Sequence, residues 1–132
     1  MILPRVLLAD DHAGLIEAEF ALLSAHFDVV GTAADGAALV EEARSLRPDV
    51  IVTDISRPIL NGIEAVRKIR ESGSRAQFVF LTALREKEFV EACMEAGASG
   101  YVQKNRMNQD LMPAMQAALA GQSYVSKLGS TR

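Results

Sequence analysis

Val50-Ile51-Val52-Thr53-Asp54 is the stretch whose reading decides the fold. The run before Asp54 is apolar at nearly every position, as a strand covered on both faces should be. Arg47-Pro48-Asp49 precedes it, and Ile55-Ser56-Arg57-Pro58-Ile59-Leu60-Asn61-Gly62 follows. Three further runs share this design. Val6-Leu7-Leu8-Ala9 ends in the pair Asp10-Asp11, Phe78-Val79-Phe80-Leu81 ends in Thr82, and Tyr101-Val102-Gln103 ends in Lys104. If these strands are parallel, an acid pair, a lone acid, a hydroxyl and an amine meet on one edge, where open α/β sheets keep their ligand sites.

Working outward, strand-like and helix-like segments alternate five times. Residues 29–33 form a weaker strand ahead of the Asp35-Gly36 turn. Leu15, Ile16, Phe20, Leu22 and Leu23 recur at helical spacing, as do Leu39, Val40, Ala43 and Leu46. Pro48 stops that second helix, because proline disfavours the α region for the residue before it. Asn61 is a candidate N-cap for a third helix lined by Ile63, Val66 and Ile69. Phe89, Val90, Cys93 and Met94 line a fourth helix, and Leu111, Met115, Ala118 and Leu119 a fifth. Pro113 is tolerated only in a first helical turn, which predicts that the regular fifth helix starts near Asp110. Residues 122–132 lack periodicity and read as a tail or the start of a linker. This division predicts one domain over residues 1–121. Strict βα alternation predicts an α/β fold with a five-stranded parallel sheet, right-handed crossovers and helices on both faces.

The chain has 132 residues, 49% of them apolar, and a net charge of −3. One core is expected, and the acidic balance argues against a nucleic-acid surface within these residues. One cysteine excludes an internal disulfide and fits a reducing compartment. No signal-peptide pattern and no apolar run of 18 residues is present, so a cytoplasmic protein without membrane contact is expected.

Three carboxylates on neighbouring strand ends repel. Two unit charges about 4 Å apart interact by roughly 4 kcal/mol at an effective dielectric near 20. Keeping all three ionised calls for a cation, and oxygen donors without cysteine or clustered histidine favour a hard ion such as Mg²⁺. Lys104 supplies a further counter-charge. A carboxylate so held can attack phosphorus, while Thr82 can donate a hydrogen bond to a phosphoryl oxygen.

Asp10-Asp11, Asp54 followed by Pro58 and Asn61-Gly62, Thr82, and Lys104 after Gly100-Tyr101, taken in this order, resemble the receiver domains of two-component response regulators. The resemblance covers about residues 4–121. Ala9-Asp10-Asp11-His12, Asp35-Gly36, Ala96-Gly97-Ala98-Ser99-Gly100-Tyr101 and Ala120-Gly121 are most similar to receivers that precede a LuxR-type (NarL/FixJ-like) helix-turn-helix domain. It implies a flavodoxin-like, doubly wound (βα)5 fold. It implies that Asp54 accepts a phosphoryl group from a sensor histidine kinase. Asp11, Asp54 and the backbone carbonyl of Ser56 would ligate Mg²⁺, with Asp10 acting through water. Lys104 would contact the phosphoryl group, Thr82 would turn inward to it, and Tyr101 would follow as the switch aromatic. The surface of the fourth helix, fifth strand and fifth helix would carry the signal, including to a second copy in a homodimer.

Two departures accompany the resemblance. Arg57 stands where the family usually has Met, and Asn105 follows Lys104 where proline is common. The helix-turn-helix domain lies outside the 132 residues, so DNA contact is expected only through such an output domain. A single-domain receiver acting by protein contact or phosphorelay is the alternative. An aspartyl-phosphate phosphohydrolase is disfavoured, because Ser56 stands where a second acid is needed. The reading is therefore a phosphoacceptor and not an enzyme. His12 and His26 read as solvated or capping groups, and Cys93 as a packed small residue.

Overall fold

A computed structural model describes residues 2–54, 62–83 and 87–126. The elements run β1 (Arg5–Ala9), α1 (Ala13–Leu23), β2 (Asp28–Ala33), α2 (Gly36–Leu46), β3 (Val50–Thr53) and α3 (Gly62–Glu71). They continue through β4 (Gln77–Thr82), α4 (Lys87–Glu95), β5 (Gly100–Gln103), α5 (Met107–Leu119) and β6 (Tyr124–Val125). A 3₁₀ turn, Lys104–Arg106, joins β5 to α5. The strands form one sheet in the order β2-β1-β3-β4-β5-β6, every pairing parallel. This is the doubly wound, flavodoxin-like architecture, and the direction of winding reverses between β1 and β3, where a crevice opens at the strand ends.

Alternation along each strand splits the interior in two. Leu7, Ile51, Phe78, Phe80 and Tyr101 pack under α2, α3 and α4 with Val66, Ile69 and Cys93. Leu8, Val52, Val79, Leu81 and Val102 pack under α1 and α5 with Leu23, Leu111 and Met115. Strand side chains on both faces are apolar, so the charged side chains of the strands are left to their ends.

Local chemistry starts and stops the helices. The Asp35 side chain caps α2 by accepting from the Ala38 amide at 2.8 Å. Arg47, in the left-handed conformation at φ 50°, closes that helix ahead of Pro48. The cap position of α1 is His12, whose amide donates to Asp10 Oδ1 at 2.9 Å. Asn61 lies outside the described residues.

Three expectations are corrected. Phe20 does not join the apolar face of α1: it is 50% exposed, while Glu19 beside it is 1% exposed. Glu19 stands four and three residues after Leu15 and Ile16, and three and four before Leu22 and Leu23, so helical geometry puts it in the middle of the stripe. The fifth helix starts at Met107 and carries Pro113 in its interior. Pro113 is exposed, so the Gln109 carbonyl that loses its partner faces water. The sheet has six strands, because residues read as tail return beside β5. Gly121, at φ +76°, makes the turn, and Tyr124 and Ser126 donate their amides to the Ser99 and Tyr101 carbonyls at 2.9 and 2.8 Å. β5 is thus an internal strand, and the surface around it includes β6.

Pro113→Ala restores one backbone hydrogen bond on the exposed side of α5. It is expected to raise stability by about 1–3 kcal/mol, read as a higher urea midpoint at unchanged slope.

Candidate functional site

β1 and β3 are paired in register from Val6↔Val50 to Ala9↔Thr53. The residues that follow them, Asp10 and Asp54, therefore emerge side by side. The Asp54 amide donates to the Ala9 carbonyl at 3.3 Å, and the Asp10 amide to Ala33 at 2.9 Å. The crevice between these ends is lined by Asp10, Asp11, Thr53, Asp54, Asp35 and Gly62. Asp10 and Asp54 are deep in it, their side chains 1% and 2% exposed. Asp11 sits at the rim with 25%.

Lys104 crosses from the end of β5 to this crevice. Its Nζ lies 2.9 Å from Asp54 Oδ2 and 4.0 Å from Asp10 Oδ2. The ammonium lies within 4.0 Å of Asp10 and Asp54, and Asp11 lines the same crevice, so carboxylates outnumber the one lysine. The carboxylate donors are hard oxygen, and their excess over the lysine fits a divalent cation such as Mg²⁺. Asp10, Asp11 and His12 also place their ligand atoms within 4.8 Å of one another, an arrangement that could hold a metal.

Thr82 is the last residue of β4, the strand between those that carry Asp54 and Lys104, and it is fully buried. Tyr101 is fully buried in β5 under α4. The structure thus brings Asp10, Asp11, Asp54 and Lys104 together and sets Thr82 on the intervening strand end. Ser56, Arg57 and Pro58 lie outside the described residues, as do Arg85 and Glu86. His26 is exposed. Cys93 is fully buried, and burial pushes its thiol up to about 12, consistent with a packed and inert side chain.

His12 stands at the cap position of α1 with an exposed side chain, as read from the sequence, and its ring also meets the acids, with Nδ1 3.2 Å from Asp10 Oδ1 and 3.1 Å from Asp11 Oδ1. Glu19 was missed by sequence reasoning. Its Oε1 finds no hydrogen-bond partner among the described residues. Burial, then the field of Asp10, push its carboxyl up to about 8, with Lys104 pulling it down and Asp54 adding to the rise. Its position between apolar residues on α1 was the available signal.

With this geometry in hand, the family described as "Response regulator receiver domain" matches residues 6–116. The chain belongs to that family. The receiver is 35% identical over 125 residues to "Response regulator GacA" of Pseudomonas viridiflava, covering 92% of this chain and 58% of that protein. It is 36% identical over 124 residues to "Nitrate/nitrite response regulator protein NarL" of Escherichia coli K12, covering 92% and 57%. The receiver therefore spans less than two thirds of the length of these relatives. A LuxR-family two-component response regulator from an Aurantimonas species superposes with a TM-score of 0.89 at 35% identity, covering 95% of this chain and 91% of that one. The receiver domain of the putative NarL of Mycobacterium tuberculosis gives 0.87 at 27%, covering 92% and 100%. Among the described residues, no helix is long and apolar enough to cross a membrane.

Glu19 gives the receiver a signature in pH. Its folded carboxyl stays protonated up to about 8, whereas the unfolded chain ionises it near 4.5. Stability is therefore fully present below the lower value and is lost as pH rises through the upper one. In metal-free buffer the loss is on the order of 4 kcal/mol. Glu19→Gln is expected to flatten it, measured as urea midpoints across this pH window.

Proposed function

We propose that this receiver domain accepts a phosphoryl group on Asp54 from the phosphohistidine of a sensor histidine kinase. One observation carries the reading: a buried carboxylate 2.9 Å from a lysine ammonium, in a crevice it shares with Asp10 and Asp11 among other residues. An Asp54 carboxylate oxygen forms the new O–P bond as the N–P bond of the donor breaks. Lys104 holds the Asp54 carboxylate in place and then shifts to a phosphoryl oxygen, where its charge offsets the negative charge on the transferring group. Thr82 turns inward and donates its hydroxyl to another phosphoryl oxygen. Asp11, Asp54 and the Ser56 carbonyl would hold Mg²⁺, with Asp10 acting through water, and the ion would supply the remaining neutralisation at phosphorus. The rim position of Asp11 supports its part as the direct ligand, as does the engagement of Asp10 with the His12 amide.

The output is a population shift between two packings. Movement of Thr82 is coupled to a shift of Tyr101, which is fully buried in this structure, between buried and exposed positions, and the surface of α4, β5, β6 and α5 changes with it. The receiver acts as a phosphoacceptor in signalling rather than as a turnover enzyme. The net charge of −3 argues against nucleic acid as a partner of these residues, and the partners proposed are proteins, the kinase and a second receiver. DNA contact belongs to an output domain beyond residues 1–132. Arg57 tunes phosphate lifetime or kinase choice without being required.

Incubation with acetyl phosphate and Mg²⁺ is expected to add one phosphoryl mass to the intact protein, and Asp54→Asn to abolish the addition. Stoichiometric labelling of the Asn variant would overturn the assignment. In a Mg²⁺ titration, Asp11→Ala is expected to weaken binding more than Asp10→Ala. The opposite ranking would reverse their roles.

A further inference from the structure

Asp110 lies on α5, outside the acidic crevice, yet it is 3% exposed and takes four hydrogen bonds. Oδ2 accepts from Arg106 Nε at 2.7 Å and from the Ser126 hydroxyl at 2.6 Å. Oδ1 accepts from the Tyr124 hydroxyl at 2.8 Å and from Arg106 Nη2 at 3.3 Å. The Ser126 oxygen in turn accepts the Gln103 amide at 3.1 Å. Burial alone would raise this carboxyl. The donors from Arg106, Ser126 and Tyr124 instead hold it at about 2, so it is an anion at any physiological pH.

Arg106, a direct partner of Asp110, and Gln103, which reaches it through Ser126, bracket one residue. Gln103 precedes Lys104 directly, and Arg106 follows it by two. Lys104 opens the 3₁₀ turn, a segment with little hydrogen bonding of its own to fix its direction. From that turn the ammonium must span to Asp54, fifty residues away in sequence. A cation that neutralises charge in a transition state is effective only when its approach is fixed beforehand.

We propose that Asp110 is a positioning residue for Lys104: through Arg106 on one side, and Ser126 with Gln103 on the other, it fixes the turn from which the ammonium reaches Asp54. The proposal rests on Asp54 being the phosphoacceptor. It gives residues 122–126 a part in phosphoryl chemistry, since Ser126, directly after β6, supplies half of the clamp.

The test uses the 132-residue chain with acetyl phosphate and Mg²⁺, reading the initial rate of mass gain. Asp110→Asn keeps the size of the side chain but replaces two acceptor sites with donors that face Arg106, Tyr124 and Ser126. Ser126→Ala is milder, leaving the carboxylate and its arginine in place, with thermal melting to check the fold. Both variants are expected to label about tenfold more slowly, and Ser126→Thr, which keeps the hydroxyl, to recover the rate. In a Lys104→Met background, Ser126→Ala is expected to have no further effect, because the residue it positions is gone. The same fractional slowing with and without Lys104 would show that Asp110 and Ser126 only stabilise the fold, and would overturn the proposal. Folded variants that label at the wild-type rate would overturn the clamp alone. An unlabelled wild-type receiver would overturn the phosphoacceptor reading and the role of Asp110 with it.

Discussion

A parallel sheet covered by helices on both faces has no solvated surface of its own. Every strand position between Val6 and Ala9, or Val50 and Thr53, is buried, so a charged side chain there would lose its hydration without compensation. Charge is therefore confined to the ends of the strands, and the parallel arrangement brings the C-terminal ends together. Asp10, Asp11 and Asp54 are neighbours for this reason. The Lys104–Asp54 contact at 2.9 Å is the compensation available within the chain, and it is incomplete, since one ammonium cannot balance three carboxylates. The crevice is left with an appetite for cations and for groups that a cation can neutralise.

That incompleteness makes the site useful rather than merely stable. A fully paired, buried ion cluster adds little to folding, because desolvation offsets most of the Coulomb gain. Removing one partner from such a cluster is costly. Under the proposed phosphotransfer, Lys104 has two opposed tasks, holding Asp54 and remaining able to leave it for an incoming phosphoryl group. Its 3₁₀ turn gives it reach but little rigidity, and the hydrogen bonds around Asp110 supply the rigidity from outside.

Glu19 and Asp110 show how far the setting governs a carboxyl group. Both are almost completely buried on helices that pack on the same face of the sheet. Glu19 has apolar neighbours and the field of Asp10, and is pushed up to about 8. Asp110 accepts four hydrogen bonds, two of them from the Arg106 guanidinium, and is held at about 2. Desolvation opposes ionisation at both, and the hydrogen-bond partners decide between them. One consequence is that α1 carries a neutral acid where a hydrocarbon would pack, close to the crevice.

The sequence by itself determined the alternation of elements, the two dry faces and the identity of the strand-end residues. Period and patterning are local properties, and each of Asp10, Asp54, Thr82 and Lys104 directly ends a run that can be read alone. It also contained Glu19, whose place in the α1 stripe follows from spacing to Leu15, Ile16, Leu22 and Leu23. Only the tertiary structure decided what depends on residues far apart in the chain. Pro113 lies inside α5 because that side of the helix faces water. Tyr124 and Val125 form a strand, though two residues carry no periodic signal, because β5 offers an edge and Asp110 accepts from Tyr124 and Ser126. Lys104 meets Asp54 across fifty residues because β4 sets the distance between their strands. Such contacts are fixed by packing that closes long loops, and no local pattern encodes where those loops close.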